Sequence, residues 1–230
     1  MDSMRKVHIS PRFDARIDAA TPDAPFKLGI LGGTFDPVHV GHIAVAQAAY
    51  DSIRLDGVLF IPTGQPVRKM TSCHASPEDR YAMLMIALLD LPYFDVSRIE
   101  IDREGVTFTV DTLLSLDSHY GNRAKLYFIG AEEVVDDLPT WKNPEKIAEL
   151  VTILAVRRGG KTSFMDDEEG TLRFASHEAA GLVFNISPVA MAPLSISSTE
   201  IRERVKQGLS IEGMMPRAAQ QYMEEHRLYE

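Results

Sequence analysis

The segment 30–43, ILGGTFDPVHVGHI, joins an apolar run to a stretch with helical spacing and carries two histidines three residues apart. Gly32 and Gly33 remove side chains where the apolar run ends, so a ligand can approach the backbone closely. The Asp-Pro pair predicts a tight turn. His42 falls at the start of the next helix, where free N–H groups and the helix dipole favour an anion. The segment therefore predicts a strand, a loop and a helix N-terminus that together hold a phosphate group.

Apolar, β-branched runs alternate with helical patterns around this segment. Strands are predicted over 26–31, 57–62, 94–101, 125–130, 151–158 and 182–187. Helices are predicted over 42–53, 76–90, 109–120, 197–208 and 216–229. Ser76 and Ser197 are predicted N-caps. Such alternation is typical of an α/β fold with a doubly wound, mostly parallel sheet covered on both faces, here followed by a C-terminal helical segment. In these sheets ligands bind outside the carboxyl ends of the strands, where the opening segment lies.

The length of 230 residues and the hydrophobic content of 45% are typical of one folded domain. We expect residues 1–25, which mix charges with proline and alanine, to form a flexible leader. Residues 26–230 are expected to form a single domain, whose C-terminal helical part covers about 195–230. The segment 159–181 is expected to form a loop and a surface helix.

Composition restricts the class of protein further. The net charge of −9 at pH 7 argues against a nucleic-acid partner, because binding to a phosphate backbone rests on clustered positive charge. No apolar run approaches the roughly 20 residues of a membrane span, and the first residues lack the apolar core of a secretory signal. Cys73 is the only cysteine and cannot form an internal disulfide, which is typical of the cytoplasm. We therefore expect a cytoplasmic protein with neither a nucleic-acid nor a membrane partner.

Three common motifs do not explain the segment 30–43. It contains no G-x-G-x-x-G, which excludes a dinucleotide fingerprint. The run GGKTS at 159–163 lacks the first glycine of a P-loop, since residue 155 is alanine. His39 and His42 could face one zinc ion, but no cysteine cluster or glutamate motif completes four ligands, so no metal site is predicted. A histidine pair that only caps a helix is the remaining alternative.

The motif GGTFDPVHVGH at 32–42 resembles the nucleotidyltransferase signature G-G-T-F-D-P-x-H-x-G-H, and specifically that of nicotinate-nucleotide adenylyltransferases. Further segments resemble this family in order and spacing: FIPTGQPVRK (60–69), SPEDRYAML (76–84), VTFTVDTL (106–113), YFIGAEEVVDDLPTWKNPEKIAEL (127–150), ISSTEIRERV (196–205) and MPRAAQQYMEEHRLY (215–229). The resemblance covers the chain from about residue 28 to the end. It implies a Rossmann-like fold of the HxGH nucleotidyltransferase type.

The resemblance also implies a reaction. Members of the family transfer AMP from ATP to nicotinate mononucleotide, giving nicotinate adenine dinucleotide (deamido-NAD) and pyrophosphate in NAD biosynthesis. The attack is direct and in line, so no covalent enzyme intermediate is expected. Positioning and charge stabilisation then carry the rate. Mg²⁺ is expected as the cofactor, bound mainly through the phosphates of ATP, and no protein ligand is named for it.

The resemblance assigns roles to individual residues. The implied catalytic residues are His42, on the α-phosphate, His39 and Arg202. The implied ATP-binding residues are Gly32, Gly33, Thr34, Phe35, His39, His42, Gly130, Glu132, Arg157, Ser197, Ser198, Thr199 and Arg202. The implied residues for nicotinate mononucleotide are Gly33, Thr34, Lys69, Thr109, Asp111 and Trp141.

Some of these assignments have a local alternative. Thr109 is also a good N-cap, and Trp141 could be a core residue rather than a platform on which a pyridine ring stacks. Three residues depart from the family pattern, which usually has His, Tyr and Asp in their places: Arg68, Phe108 and Glu132. The contacts at these three positions therefore stay open.

Other functions remain as alternatives. A transferase with the same signature could prefer nicotinamide mononucleotide, or act as a phosphopantetheine adenylyltransferase or a cytidylyltransferase. A nucleotide-binding regulator without catalysis is the alternative from a different class, and the intact His39, His42 and Arg202 argue against it. The implied partners are ATP and nicotinate mononucleotide, and assembly into a homo-oligomer is left open.

Overall fold

The computed structural model describes residues 9, 11–66, 73–157, 175–179 and 181–230. Its strands are β1 (Phe26–Gly33), β2 (Gly57–Pro62), β3 (Gln65–Pro66), β4 (Phe94–Val96), β5 (Val106–Thr107), β6 (Ala124–Ala131), β7 (Thr152–Arg157), β8 (Ala175–Ala179) and β9 (Leu182–Ala190). Its α-helices are α1 (Pro11–Asp18), α2 (Val40–Ile53), α3 (Pro77–Ala87), α4 (Thr109–Tyr120), α5 (Glu133–Asp137), α6 (Pro144–Leu150), α7 (Ser198–Lys206) and α8 (Arg217–Glu225). None of these described helices is long and apolar enough to cross a membrane.

The apolar run of the opening segment forms β1, which lies inside a sheet of seven described strands. The strand order is β4-β2-β1-β6-β7-β9-β8, and the neighbouring strands are parallel except for β8 and β9. Leu28 of β1 is in register with Gly57 of β2 on one side and with Leu126 of β6 on the other. The chain first extends the sheet from β1 to β4 and then returns to add β6, so the order reverses between β1 and β6. The expected α/β fold with a doubly wound, mostly parallel sheet is confirmed, and ligands bind such sheets at this reversal.

Alternating residues of β1 point to opposite faces of the sheet, and helices cover both faces. Leu31 belongs to the core cluster that contains residues of α2, α3, α7 and α8. Leu28 and Ile30 belong to the cluster that contains residues of α1, α4 and α6. Burial on both faces explains why the central strands read as continuous apolar runs in the sequence.

Two helix starts agree with the sequence. The hydroxyl of Ser76 caps α3 and accepts a hydrogen bond from Asp79 N at 3.1 Å. Ser197 caps α7 in the same way and accepts from Glu200 N at 3.1 Å. Each bond satisfies an N–H group that the first helical turn leaves without an intrahelical acceptor.

The expectation of a flexible leader over 1–25 does not hold for residues 11–25. In α1 the side chains of Phe13 and Ile17 are fully buried against the sheet, and Ile9 is buried in the same cluster. These three residues recur at every fourth position, which is the spacing of an apolar helix face. Burial of that face orders the segment in spite of the neighbouring prolines and charges.

Two further expectations are corrected. The strand predicted over 94–101 ends after three residues, because the chain then turns and Asp102 N donates to Arg98 O at 2.9 Å. Within 159–181, the surface helix is replaced by β8, which pairs antiparallel with β9 at the edge of the sheet. The open edge of β9 offers backbone donors and acceptors that a strand can pair with and a helix cannot. Residues 159–174 lie outside the described part of the chain.

Candidate active site

Two neighbouring cavities open where β1 and β6 end. The first cavity has a volume of about 470 Å³, and the predicted residues in its wall are Thr34, Phe35, His39, His42, Ser197, Ser198, Thr199 and Arg202. The second cavity has a volume of about 560 Å³, and the predicted residues in its wall are Gly32, Gly33, His42, Thr109, Gly130 and Trp141. His42 and Val45 line both cavities. The fold thus brings most of the predicted residues together and divides them into two groups that meet at His42.

The two histidines at the start of α2 form a stacked pair. His39 is the N-cap of α2 and His42 is its third residue. Their ring centroids lie 3.6 Å apart at an interplanar angle of 24°. The backbone N–H of His39 donates to Nδ1 of His42 at 3.2 Å. A ring nitrogen that accepts a hydrogen bond carries no proton, so the neutral His42 ring carries its proton on Nε2. The capping contact therefore leaves Nε2 as the nitrogen that can donate to an anion.

Gly41 and Gly33 leave room for the aromatic rings of this loop. A Cβ atom at Gly41 would lie 2.9 Å from Nδ1 of His39, closer than such atoms approach in folded proteins. At Gly33 it would lie 3.0 Å from Cζ of Phe35. The Phe35 ring packs edge-on against His42, with the ring centroids 4.9 Å apart. These glycines therefore have a packing function in addition to the access for a ligand that the sequence suggests.

The N-terminus of α7 is tied to the same loop. Ser198 Oγ donates to Pro37 O at 2.9 Å, and Arg202 Nη1 donates to Asp36 O at 2.6 Å. Arg202 Nη2 also donates to Thr199 Oγ1 at 3.2 Å. The N-termini of α2 and α7 consequently line one cavity, each with backbone N–H groups and the positive end of a helix dipole. Such a pair of helix ends is suited to a chain of phosphate groups.

Asp36 connects segments that are far apart in the sequence. The sequence predicted only a tight turn at this residue. It is 3% exposed, and its carboxylate accepts hydrogen bonds from His74 N at 2.8 Å and Ala75 N at 3.0 Å. The hydroxyl of Tyr229 donates to the same carboxylate at 2.7 Å. Tyr229 is 193 residues away in the sequence, so no local pattern could have shown this contact.

Arg80 is a second structural residue that the sequence did not single out. It is fully buried in α3, and its guanidinium donates to Thr34 O and Thr63 O, both at 2.7 Å. These carbonyls follow β1 and β2, so one buried cation joins the loops at the carboxyl ends of both strands. Thr34 lines the first cavity and Thr63 lines the second. A buried charge is stable only with such hydrogen bonds. The two bonds of Arg80 also fix the positions of the two cavity walls relative to each other.

The second cavity has walls of aromatic and aliphatic side chains. Trp141 lies half-buried in it, with its ring edge-on to Phe128 at a centroid distance of 5.6 Å. Phe108, Val110 and Ile129 add apolar surface to the same wall. Trp141 therefore lines the second cavity while its ring also packs on the core. It is not a fully buried core tryptophan.

The start of α4 borders the second cavity. Phe108 occupies the N-cap position and Thr109 is the first helical residue, so the alternative of Thr109 as N-cap is wrong. Lys142 Nζ lies 4.4 Å from the centroid of the Phe108 ring. The same nitrogen donates to a carboxylate oxygen of Asp111 at 2.9 Å. Asp111 thus reaches the cavity through Lys142, which lines it.

Glu100 is the acid of the second cavity that is most removed from water. It is 9% exposed, and this burial raises the pKa of its carboxyl above the ordinary value of 4.5. The hydroxyl of Thr112 donates to Glu100 Oε1 at 2.9 Å and opposes the rise without cancelling it.

The remaining predicted residues lie elsewhere. Glu132 and Arg157 stand at the ends of β6 and β7, with Arg157 Nε 3.9 Å from Glu132 Oε2, and neither is in the described wall of the two cavities. Arg68 and Lys69 lie outside the described residues. Within the described ranges, no group of three or more His, Cys, Asp or Glu side chains is placed to hold a metal ion.

Comparison with known proteins agrees with the fold and shows which proteins the chain resembles. Residues 30–204 match the family described as Cytidylyltransferase-like. The chain is 38% identical over 204 residues to the "Probable nicotinate-nucleotide adenylyltransferase" of Thermoanaerobacter sp. (strain X514), which covers 88% of this chain and 94% of that protein. It is also 38% identical to the protein of the same name from Dehalococcoides mccartyi (strain CBDB1), over 88% of this chain and 97% of that protein.

A solved structure with a similar fold is that of the Plasmodium falciparum nicotinic acid mononucleotide adenylyltransferase complexed with NaAD. The TM-score is 0.67, and the match covers 88% of this chain and 97% of that one. The sequence identity is 18%, so this likeness shows the shared Rossmann-like fold.

Proposed function

Since the chain belongs to the nicotinate-nucleotide adenylyltransferases of the cytidylyltransferase-like family, we propose that it transfers AMP from ATP to nicotinate mononucleotide. The products are nicotinate adenine dinucleotide and pyrophosphate, and the reaction belongs to NAD biosynthesis. The observation that carries the proposal is the position of His42 in the wall of both cavities. A residue shared by two substrate cavities lies where a group passes from one substrate to the other.

In this proposal ATP occupies the first cavity. Its phosphates are bound by the N-termini of α2 and α7, including the backbone N–H of Ser198, and by the hydroxyl groups of Ser197 and Thr199. The guanidinium of Arg202 adds further donors for phosphate oxygens. Thr34 and Phe35 form the part of the wall that follows β1.

The 5′-phosphate of the mononucleotide attacks the α-phosphorus of ATP directly. One phosphorus–oxygen bond forms while the bond to the pyrophosphate leaving group breaks, so no covalent enzyme intermediate is needed. Nε2 of His42 donates to an α-phosphate oxygen and stabilises the charge of the transition state, and His39 fixes the His42 ring by stacking and by its backbone hydrogen bond. Because the protein has little covalent chemistry to perform, positioning and charge stabilisation supply the rate.

Nicotinate mononucleotide occupies the second cavity. The flat ring of Trp141 stacks on the pyridine, an interaction worth about 1–3 kcal/mol when nucleic-acid bases stack on aromatic side chains. Backbone N–H groups at the start of α4, around Thr109, suit the nicotinate carboxylate. Lys69 remains the predicted contact of the 5′-phosphate, and Asp111 acts through Lys142.

The remaining assignments concern the glycines at the strand ends and the predicted contact of ATP with Glu132 and Arg157. Gly32, Gly33 and Gly130 allow the mononucleotide and the reacting phosphates to approach the ends of β1 and β6. The Glu132–Arg157 pair, beside these strand ends, stays a predicted contact of ATP.

ATP is bound as its Mg²⁺ complex. The ion screens the phosphate charge and keeps several water ligands, so the phosphates of ATP are its main partners and no protein ligand is assigned. The proposal describes a cytoplasmic enzyme with two nucleotide substrates.

The experiment that tests the proposal is pyrophosphate release from ATP and Mg²⁺, with nicotinate mononucleotide and nicotinamide mononucleotide assayed side by side. We expect rapid release with the acid and much slower release with the amide. Activity with the amide alone would keep the mechanism and overturn the substrate assignment. ATP binding without pyrophosphate release with either substrate would overturn the enzymatic function and favour a nucleotide-binding regulator.

A further inference from the structure

Tyr229 is a buried residue of the first cavity's supporting structure that none of the roles above uses. It follows α8, is 7% exposed and belongs to the same core cluster as Phe35 and Val38 of the opening loop. Its hydroxyl donates to Oδ1 of Asp36 at 2.7 Å. A hydroxyl that loses its contact with water needs a hydrogen-bond partner. A carboxylate is the strongest acceptor that a protein side chain offers to such a donor.

Asp36 transmits the position of Tyr229 to the catalytic loop. It lies three residues before His39 and lines the first cavity. The backbone carbonyl of Asp36 is held by Arg202, as described above, whereas its carboxylate is held by Tyr229 and by the N–H groups of His74 and Ala75. Arg202 of α7 thus fixes the main chain of Asp36, and Tyr229, in the segment after α8, fixes its side chain.

The phenol remains a donor under all ordinary conditions. Burial, together with the charge of Asp36, raises the pKa of Tyr229 above its usual value of 10.0, so the hydroxyl keeps its proton. Tyr229 therefore stays a hydrogen-bond donor at pH values near neutrality.

We propose that Tyr229 is a positioning residue for adenylyl transfer, which through Asp36 sets the place of the His39–His42 pair against the α-phosphate. The inference rests on the proposed function, since it needs a phosphate at that place. Stabilisation of a transition state depends steeply on geometry, and a displacement of about 1 Å can cost about 100-fold in rate. Loss of one anchor of the loop is therefore expected to lower turnover in a protein that is still folded.

The chain offers a matched control in Tyr222. The hydroxyl of Tyr222 donates to Oδ1 of Asp79 at 3.0 Å and attaches α8 to α3, away from both cavities. Tyr229→Phe and Tyr222→Phe each remove one hydroxyl and one tyrosine–aspartate hydrogen bond. They differ in burial, since Tyr229 is buried and Tyr222 is partly exposed, and in whether the aspartate belongs to the catalytic loop, so thermal unfolding is compared for both variants.

The test measures kcat and KM for both substrates in the wild type and the two variants, with thermal unfolding as the measure of folding. We expect Tyr229→Phe to lower kcat about tenfold or more. KM for nicotinate mononucleotide should stay within about twofold, because that substrate occupies the second cavity. Tyr222→Phe should keep both constants within about twofold of the wild type. Wild-type kcat in Tyr229→Phe, or equal losses in the two variants, would overturn the positioning role.

A second measurement does not depend on turnover. The imidazole ¹⁵N resonances of His39 and His42 should shift in Tyr229→Phe and stay unchanged in Tyr222→Phe. Unchanged resonances in Tyr229→Phe would overturn the inference even if kcat fell. A wild-type protein that released no pyrophosphate would instead overturn the proposed function, and the resonances would still decide whether Tyr229 places the histidines.

Discussion

The two cavities are built on different principles, although they share one wall. The first cavity is lined by helix N-termini, hydroxyl groups and an arginine, and its loop is held by a buried hydrogen bond from Tyr229 and by partly buried ones from Ser198 and Arg202. The second cavity has more rings and aliphatic side chains in its wall, grouped around Trp141, although Glu100 and Lys142 also line it. A site for a highly charged group needs donors fixed in space, because charge stabilisation is lost when the donors move. A site for a flat ring needs mainly an apolar surface of the right shape.

His42→Ala gives the largest expected effect, because it removes the donor that the two cavities share. We expect kcat to fall by about 10²–10³-fold, the usual cost of losing one group that stabilises transition-state charge. Steady-state pyrophosphate release measures this, and circular dichroism checks that the fold is intact. His119→Ala, at the exposed end of α4, serves as the control and should keep the wild-type rate. A near-normal rate in His42→Ala would remove the argument that the cavities meet at the reacting phosphate.

Arg80→Met tests whether the relation between the cavities depends on one buried cation. The substitution leaves the carbonyls of Thr34 and Thr63 without their donor, and we expect the free energy of unfolding in urea to fall by about 3 kcal/mol. Arg98→Met is the matched control, since Arg98 also bonds two partners but at the surface. Its loss should stay below about 1 kcal/mol. Equal losses in the two variants would show that burial of Arg80 has no special importance.

Trp141→Ala tests the apolar cavity separately. We expect KM for nicotinate mononucleotide to rise about tenfold and KM for ATP to stay unchanged, because stacking on one aromatic ring is lost. Trp141→Phe should restore most of the affinity. A rise in KM for ATP instead would exchange the substrates of the two cavities, which the same initial-rate measurements would show.

Glu100→Gln gives the smallest expected effect and concerns pH. A carboxyl whose pKa is raised in the folded state stabilises the fold fully below its unfolded pKa, near 4.5, and this contribution is lost as the pH rises through the folded pKa. The free energy of unfolding of the wild type, relative to Glu100→Gln, should therefore decrease as the pH rises from 4 toward neutrality. Urea unfolding of both proteins at several pH values measures the difference. A difference that grows in favour of the wild type would contradict the assigned direction.

The features that follow from short-range patterns could be predicted. The strands around β1, the caps at Ser76 and Ser197 and the predicted residues of both cavities lie in segments whose spacing or resemblance is local. Even α1 had a local signal, the apolar residues at every fourth position, which the prolines and charges nearby outweighed in the prediction.

The features that depend on contacts between distant segments could not be predicted. Asp36 and Tyr229 meet across 193 residues, and Arg80 meets Thr34 across 46. An arginine within a helical pattern is usually exposed, and nothing next to Arg80 in the sequence shows that it is buried. Such residues became visible only when the fold brought their partners to them, and their hydrogen bonds hold the loops of the site in place.

The shared wall at His42 has a consequence for the end of the reaction. The dinucleotide product joins in one molecule the two groups that bind in the two cavities. Once one group is bound, the other binds without a second loss of translational and rotational freedom. The product is therefore expected to bind more tightly than either mononucleotide half. Compounds that join a phosphate-bearing group to a flat ring across His42 would exploit the same gain as inhibitors.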